Sequence, residues 1–223
     1  MDLVLSSGFL AFASHCGFLA AIEAHGGAVD ACCGTSSGAL VGALWSAGMP
    51  AGEILALTTG RRPIAWCTPH LAPWRGLFRL DAMIAELERH LPPTFDALPR
   101  PLSVGVVDGD AHRLLSSGAL APAVAASCAV PLLFAPVEVG GRLHVDGAKR
   151  DRFGLDAFRA ARGERRTVVH AIDRSGGRDA EPSFEGLVVV RSPRSGASLF
   201  RIPEPQAAFE RARSATLAAL AQG

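Results

Sequence analysis

Ser36 stands inside Gly34-Thr35-Ser36-Ser37-Gly38, a single G-x-S-x-G. A serine hydroxyl becomes a useful nucleophile when a base sits beside it and a sharp strand-to-helix turn lifts it clear of the backbone. The flanking residues fit such a turn. Residues 28–33 are a short apolar run that reads as a strand, and the small and apolar residues from Ala39 to Leu44 read as a helix. Gly34 and Gly38 remove a Cβ on either side of the bend, where it would collide with the neighbouring strand or helix. The helix turns its free N–H groups and the positive end of its dipole toward Ser36, which stabilises a developing alkoxide or oxyanion. A G-x-S-x-G also arises by accident in a chain with 24 glycines, so the competing reading is a plain Gly/Ser turn.

The turn has to be carried by its neighbours. Leu3-Val4-Leu5 reads as a first strand and Ser6-Ser7-Gly8 as the turn behind it. Phe12, Cys16, Leu19 and Ile22 recur at helical spacing in a helix over 9–24, which His25-Gly26-Gly27 ends. Ser36 therefore arrives after one strand and one helix. An α/β-hydrolase shares the G-x-S-x-G but places several strands before it, so this chain has a different architecture. Further on, helices are expected over 51–59, 80–91, 117–128, 156–161 and 205–221, and strands over 101–107, 112–115, 167–172 and 187–191. Residues 63–79, rich in Pro, Trp and Arg, read as a loop, and Gly140-Gly141 as a hairpin turn ahead of Arg142-Leu143-His144-Val145. Asp173-Arg174-Ser175-Gly176-Gly177 reads as a turn. Strands alternating with helices argue an α/β sandwich with a largely parallel sheet. There is no internal repeat or low-complexity linker, so one domain is expected over 1–223.

Three stretches together resemble the patatin-like phospholipase family. Gly34-Thr35-Ser36-Ser37-Gly38-Ala39-Leu40-Val41-Gly42-Ala43-Leu44 is similar to that family's nucleophile elbow almost residue for residue. Ala126-Ser127-Cys128-Ala129-Val130-Pro131 with Phe134-Ala135-Pro136-Val137 resembles its A-S-x-A-x-P…F-x-P-V segment. Asp146-Gly147-Ala148 resembles its D-G-[GA] motif. Their order and spacing match, and the resemblance runs from Leu3 to about Ile172. It implies a three-layer α/β/α sandwich and a Ser–Asp dyad with Ser36 as nucleophile and Asp146 as base. It calls for no cofactor and no metal. Backbone N–H groups of Gly8, Phe9 and Ser37 are then the expected oxyanion hole, and the hydroxyl of Ser37 serves the helix N-terminus. The loop after the first strand departs from the family's G-G-G-x-[RK]-G: here it reads Ser7-Gly8-Phe9-Leu10-Ala11-Phe12, with one glycine and Ala11 in place of the basic residue. Glycines that need positive φ would be strained as Phe or Leu. Phe9, Leu10 and Phe12 can instead line an apolar acyl pocket.

Other residues compete for roles. His170 follows Ser36 and Asp146 in the order Ser…Asp…His, but Val168-Val169-His170-Ala171-Ile172 is mid-strand, where a buried, hydrogen-bonded imidazole is the commoner case. His15 reads as a structural or supporting group, and Ser127 as a packing residue between helix and loop. Asp108, Asp110, Asp151 and Asp173 are loop or turn carboxylates without the D-G-[GA] context. Trp66, Trp74, Leu71 and Phe78 with Arg61, Arg62 and Arg75 form either an apolar, basic rim for transient contact with a lipid surface or a lid packed on its own core, and the second is the expectation.

Composition narrows the classes. The 223 residues are 49% hydrophobic and 19% charged with a net charge of +1, enough for a large core and without the clustered basic excess of a nucleic-acid binder. The five cysteines, Cys16, Cys32, Cys33, Cys67 and Cys128, lack zinc-type spacing and fit reduced thiols in a cytoplasmic setting. No signal-peptide pattern and no run long enough to span a bilayer is evident. The expected activity is a serine acyl hydrolase acting on lipid carboxylic esters, whether phospholipid, lysophospholipid or acylglycerol. Two alternatives stay open: a catalytically impaired protein of the same fold used for binding or regulation, which the altered loop favours, and a small-molecule esterase or acyltransferase without lipid preference. The sequence sets no oligomeric state.

Overall fold

The computed structural model describes residues 1–174 and 181–222. Ser175-Gly176-Gly177, read above as part of a turn, lies outside the described residues. In chain order the strands are β1 (Asp2–Leu5), β2 (Ala31–Thr35), β3 (Thr68–Pro69), β4 (Phe78–Arg79), β5 (Leu102–Asp108), β6 (Ala111–Leu115), β7 (Val137–Val139), β8 (Arg142–Asp146), β9 (Thr167–Ile172) and β10 (Val188–Ser192). The α-helices are α1 (Phe12–His25), α2 (Ser37–Ser46), α3 (Ala51–Thr59), α4 (Asp81–Leu87), α5 (Leu120–Ser127), α6 (Leu155–Arg162) and α7 (Pro205–Leu220).

The central sheet runs β10-β9-β1-β2-β5-β8-β7, with β6 also paired to β5. From β10 to β5 every pairing is parallel, whereas β6, β7 and β8 pair antiparallel. The chemistry of the strands accounts for the division. β1, β2 and β9 are buried along their whole length, as central parallel strands covered on both faces must be. The antiparallel part is made by hairpins, turned at Gly109 (φ 60°) and at Gly140 and Gly141 (φ 60° and 77°), where positive φ matches the twist of the flanking strands.

Alternate residues of each strand face opposite sides. Leu3 and Leu5 join the larger core with Phe18 and Leu19 of α1 and Leu40 and Leu44 of α2. Val4, Cys33 and Val169 join the smaller one with Phe153, Leu155 and Phe158. Helices α1, α2 and α5 thus contribute to one layer and α6 to the other, giving the expected α/β/α arrangement. Element ends differ from the sequence reading by a few residues. α1 starts at Phe12 because Gly8 to Leu10 form a turn, with Leu10 at φ 51°. α4 stops at Leu87, and the segment 63–79 carries the small hairpin β3–β4 besides its irregular turns.

Candidate active site

Parallel pairing sets the site. Leu5 on β1 stands opposite Gly34 on β2, so the loops leaving the C-terminal ends of these two central strands lie side by side, where open parallel sheets bind ligands. One loop is 6–11; the other is the single residue Ser36 between β2 and α2. Ser36 has φ 56° and ψ −121°, a conformation that side chains disfavour and that persists only where surrounding structure enforces it.

The enforcement is visible. A Cβ on Gly34 would stand 2.5 Å from the Gly38 carbonyl oxygen, and one on Gly38 would strike the backbone carbonyls of Leu5 and Ser6. Strand β1, strand β2 and the start of α2 therefore meet at backbone distance, which only glycine permits. The Ser36 N–H donates to Ser127 Oγ (2.8 Å), and that hydroxyl donates to the Gly105 carbonyl (2.6 Å). Ser127 thus clasps the bend to β5 and does more than pack.

Asp146 ends β8, opposite Val106 of β5. A Cβ on Gly147 would meet the Gly105 carbonyl oxygen at 2.6 Å, so the glycine after the aspartate lets this strand end close against the elbow. The Ala148 N–H donates to Asp146 Oδ1 (2.8 Å). Burial pushes the Asp146 carboxyl up to about 6, against the opposing pull of the Ala148 amide and the Ser36 hydroxyl. The Ser36 side chain thus acts on the Asp146 carboxyl as a hydrogen-bond donor, which brings hydroxyl and carboxylate together although they lie on different elements of the fold. Cys128, whose Sγ approaches the Ser36 carbonyl oxygen (3.3 Å), is held as the thiol by burial and by the charge of Asp146.

Ser36 opens onto two cavities. One is an apolar slot of about 40 Å³, walled among others by Phe9, Leu10, Phe12, Trp66, Met83 and Phe134. The other is a wider cleft of about 330 Å³, lined by Phe9, Val130 and Ala148 as well as by the charged residues Asp146, Arg152, Asp173 and Arg174. The loop after β1 separates them. It is held by the Ser37 hydroxyl, which donates to the Gly8 carbonyl (2.6 Å), and by Arg152, which donates from Nε to Ser7 Oγ (3.2 Å) and from Nη2 to the carbonyls of Ser7 (3.1 Å) and Ile172 (2.5 Å).

The patatin-like phospholipase family model matches residues 3–159. The chain belongs to the patatin-like phospholipase family. Among its relatives, an uncharacterized NTE family protein of Mycobacterium bovis is 26% identical over 216 residues, covering 94% of this chain and 60% of that protein. Another, of Mycobacterium tuberculosis, is 32% identical over 157 residues, covering 66% of this chain and 26% of that one. The chain spans about 60% of the length of the first of these relatives. Among solved structures, VipD from Legionella pneumophila superposes with a TM-score of 0.63 over 99% of this chain and 66% of its own, at 15% identity, a likeness of fold.

Against that family background the remaining candidates sort themselves. His170 is buried on β9, with Nδ1 against His15 Nδ1 (2.9 Å) and Nε2 against Ser192 Oγ (2.9 Å), and it stacks on Phe18. Burial drives His15 down to about 3 and lowers His170 well below its usual range. Both are therefore neutral structural groups of this patatin-like core. Asp151 accepts from the amides of Phe153 and Gly154, Asp108 pairs with Arg142, and Asp110 with Arg150. Asp173 reaches the wider cleft, which its sequence context did not signal. Trp66 lines the slot while Trp74 stands in solvent, so the aromatic segment divides between lining and surface. Sequence reasoning missed Arg152 altogether: nothing six residues past Asp146 marks it, and only the fold brings it under Ser7. Among the described residues no helix is long and apolar enough to cross a membrane.

Proposed function

We propose that the protein hydrolyses carboxylic esters of lipids through a Ser36–Asp146 dyad and an acyl-enzyme intermediate. The observation that carries this reading is the position of a strained, glycine-locked serine and a buried aspartate of raised pKa where an apolar slot meets a cleft that carries charged side chains. The acyl chain enters the slot beside Phe9, Leu10 and Phe12, and the alcohol portion occupies the wider cleft beside Arg152 and Arg174. Asp146 takes the Ser36 proton as Oγ attacks the carbonyl carbon. The oxyanion is met by the N–H groups of Gly8, Phe9 and Ser37, which have no protein acceptor among the described residues. As the C–O bond breaks, Asp146 returns the proton to the leaving alkoxide. Water then attacks the acyl-serine and gives a proton to Asp146, and as the acyl C–O bond breaks Asp146 passes that proton to Ser36 Oγ, freeing the fatty acid and restoring the hydroxyl. The altered loop does not argue for a binding-only protein, because backbone donation needs no particular side chain and Ser37 and Arg152 hold the loop in place.

The test is labelling by a fluorophosphonate together with hydrolysis of an acyl-length series of esters. Wild type is expected to label and to prefer longer chains, with kcat/KM rising through a limb near pH 6 as Asp146 ionises. Ser36→Ala abolishes labelling. Asp146→Asn is expected to lose about 10²–10⁴-fold in turnover. Stability supplies an independent sign. The folded pKa of Asp146, about 6, lies above the ordinary 3.8, so the native state binds the additional proton between these values and stability falls as pH rises through that window. Asp146→Asn escapes that loss and is expected to be more stable than wild type at pH 8, by up to about 3 kcal/mol, with the gap closing toward pH 4. Unlabelled, inactive wild type would falsify the dyad and leave the binding-only reading; equal turnover across the chain-length series points to a small-molecule esterase.

A further inference from the structure

The apolar slot beside Ser36 is walled in part by two chain segments, 63–67 through Trp66 and Cys67 and the loop 131–135 through Phe134. The outer residues of these regions behave in the opposite way. In the hairpin that follows the first segment, Leu71 is 99% exposed and Trp74 82%; in the second, Leu132 is 87% exposed. Leu77 is exposed as well. The hairpin and the loop are one surface, because the Leu77 N–H donates to the Leu132 carbonyl (3.3 Å), the Phe78 N–H to Leu133 (3.0 Å) and the Ala135 N–H to Phe78 (2.8 Å). Leu132 also has φ 71°, a conformation that costs a branched side chain energy and here leaves it standing in water. Side chains this exposed contribute almost nothing to their own core, and a cluster of them marks a contact surface.

Charge indicates what meets that surface. The same hairpin borders a groove of about 390 Å³ lined by His70, Arg75 and Arg79, with Asp81 and Glu138. Arg79 is paired with Asp81 (2.5 Å). Arg75 makes no ion pair among the described residues. Leucine and tryptophan side chains with an available guanidinium beside them complement the acyl boundary and the phosphates of an anionic bilayer. The surface is also continuous with the walls of the slot that leads to Ser36.

We propose that the 70–77 hairpin and the 131–135 loop form a lipid-docking face, in which Leu71, Trp74, Leu77 and Leu132 enter the bilayer surface and Arg75 meets a head-group phosphate. The proposal rests on the lipid-ester reading of the site, but its test does not need turnover. Trp45 and Trp66 are buried, so of the chain's three tryptophans Trp74 is the one whose fluorescence reports contact with a membrane. The full chain carrying Ser36→Ala is mixed with vesicles of phosphatidylcholine alone or with phosphatidylglycerol added. It is expected to sediment with the anionic vesicles and to shift its emission to the blue. A triple variant, Leu71→Ser with Trp74→Ser and Leu132→Ser, is expected to lose vesicle affinity by about tenfold or more, the effect of removing buried apolar area from an interface. In the wild-type Ser36 background the same triple variant keeps its rate on a soluble short-chain ester, which also shows that it folds. Arg75→Gln is expected to weaken binding to anionic vesicles by about fivefold, the factor for one basic residue at such a surface, and to leave neutral vesicles unaffected. The proposal is overturned by an unshifted emission, by equal sedimentation of the triple variant, or by a vesicle-independent dimer that the triple variant dissolves, since a second copy would then cover the face. Vesicle binding by a wild type that cleaves no ester would uphold the docking face and remove the hydrolase reading.

Discussion

The turns at Ser36 and Leu10 lie side by side at the ends of neighbouring strands, and each holds a non-glycine residue at positive φ, 56° and 51°. They are enforced differently. At Ser36 glycines 34 and 38 sit where no Cβ fits, and Ser127 fixes the backbone N–H. At Leu10 the strained residue is an apolar side chain that walls the slot, and the loop is steadied from Ser37 and Arg152. The difference separates two uses of strain. In the first it presents a hydroxyl, and every neighbour is committed to holding it. In the second the strained residue shapes a wall, and the backbone N–H groups of Gly8 and Phe9 are what the proposed chemistry requires of the loop.

Breaking the first turn is expected to have the largest effect. Gly38→Ala drives a methyl group into the carbonyls of Leu5 and Ser6, so α2 must separate from β1. A loss on the order of 3 kcal/mol is expected in chemical denaturation, with activity falling alongside, because backbone atoms cannot turn aside as a side-chain tip can. Ser127→Ala comes next. It leaves the Ser36 N–H and the Gly105 carbonyl without their shared partner, at a cost of about 1–3 kcal/mol. Steady-state kinetics should show kcat falling more than KM rises, since the substrate cavities keep their walls. The smallest effect belongs to the second turn. Leu10→Gly relieves positive-φ strain of about 1 kcal/mol and gives up a comparable amount of side-chain burial. Its melting temperature is expected to stay near that of wild type while KM for long-chain esters rises. A collapse of Leu10→Gly comparable to that of Gly38→Ala would erase the distinction between the turns.

Much of the elbow was readable because its reasons are local. Gly34 and Gly38 follow from the geometry of a tight turn, and the apolar run before them from the burial of a central strand. The hairpin between β7 and β8 was readable from Gly140-Gly141, although the antiparallel pairing of β8 with β5 was not. The role of Ser127 was not legible, since a serine in a run of small residues looks the same whether it packs or clasps. Arg152 and Asp173 carry no motif at all. Their place at the cleft depends on which loops leave the same end of the sheet, and that is a property of strand order.

The sequence by itself determined the bend at Ser36, the family and the layered α/β character, because glycine sterics, hydrophobic patterning and ordered motifs act over a few residues. Only the tertiary structure decided that Asp146 is buried deeply enough to hold its proton up to about 6, that Ser127 and Arg152 brace the two turns, and that Ser36 stands between an apolar slot and a cleft with charged side chains. These depend on desolvation and on contacts between residues roughly a hundred or more positions apart, such as Ser36 with Ser127 and Ser7 with Arg152, which no local pattern encodes.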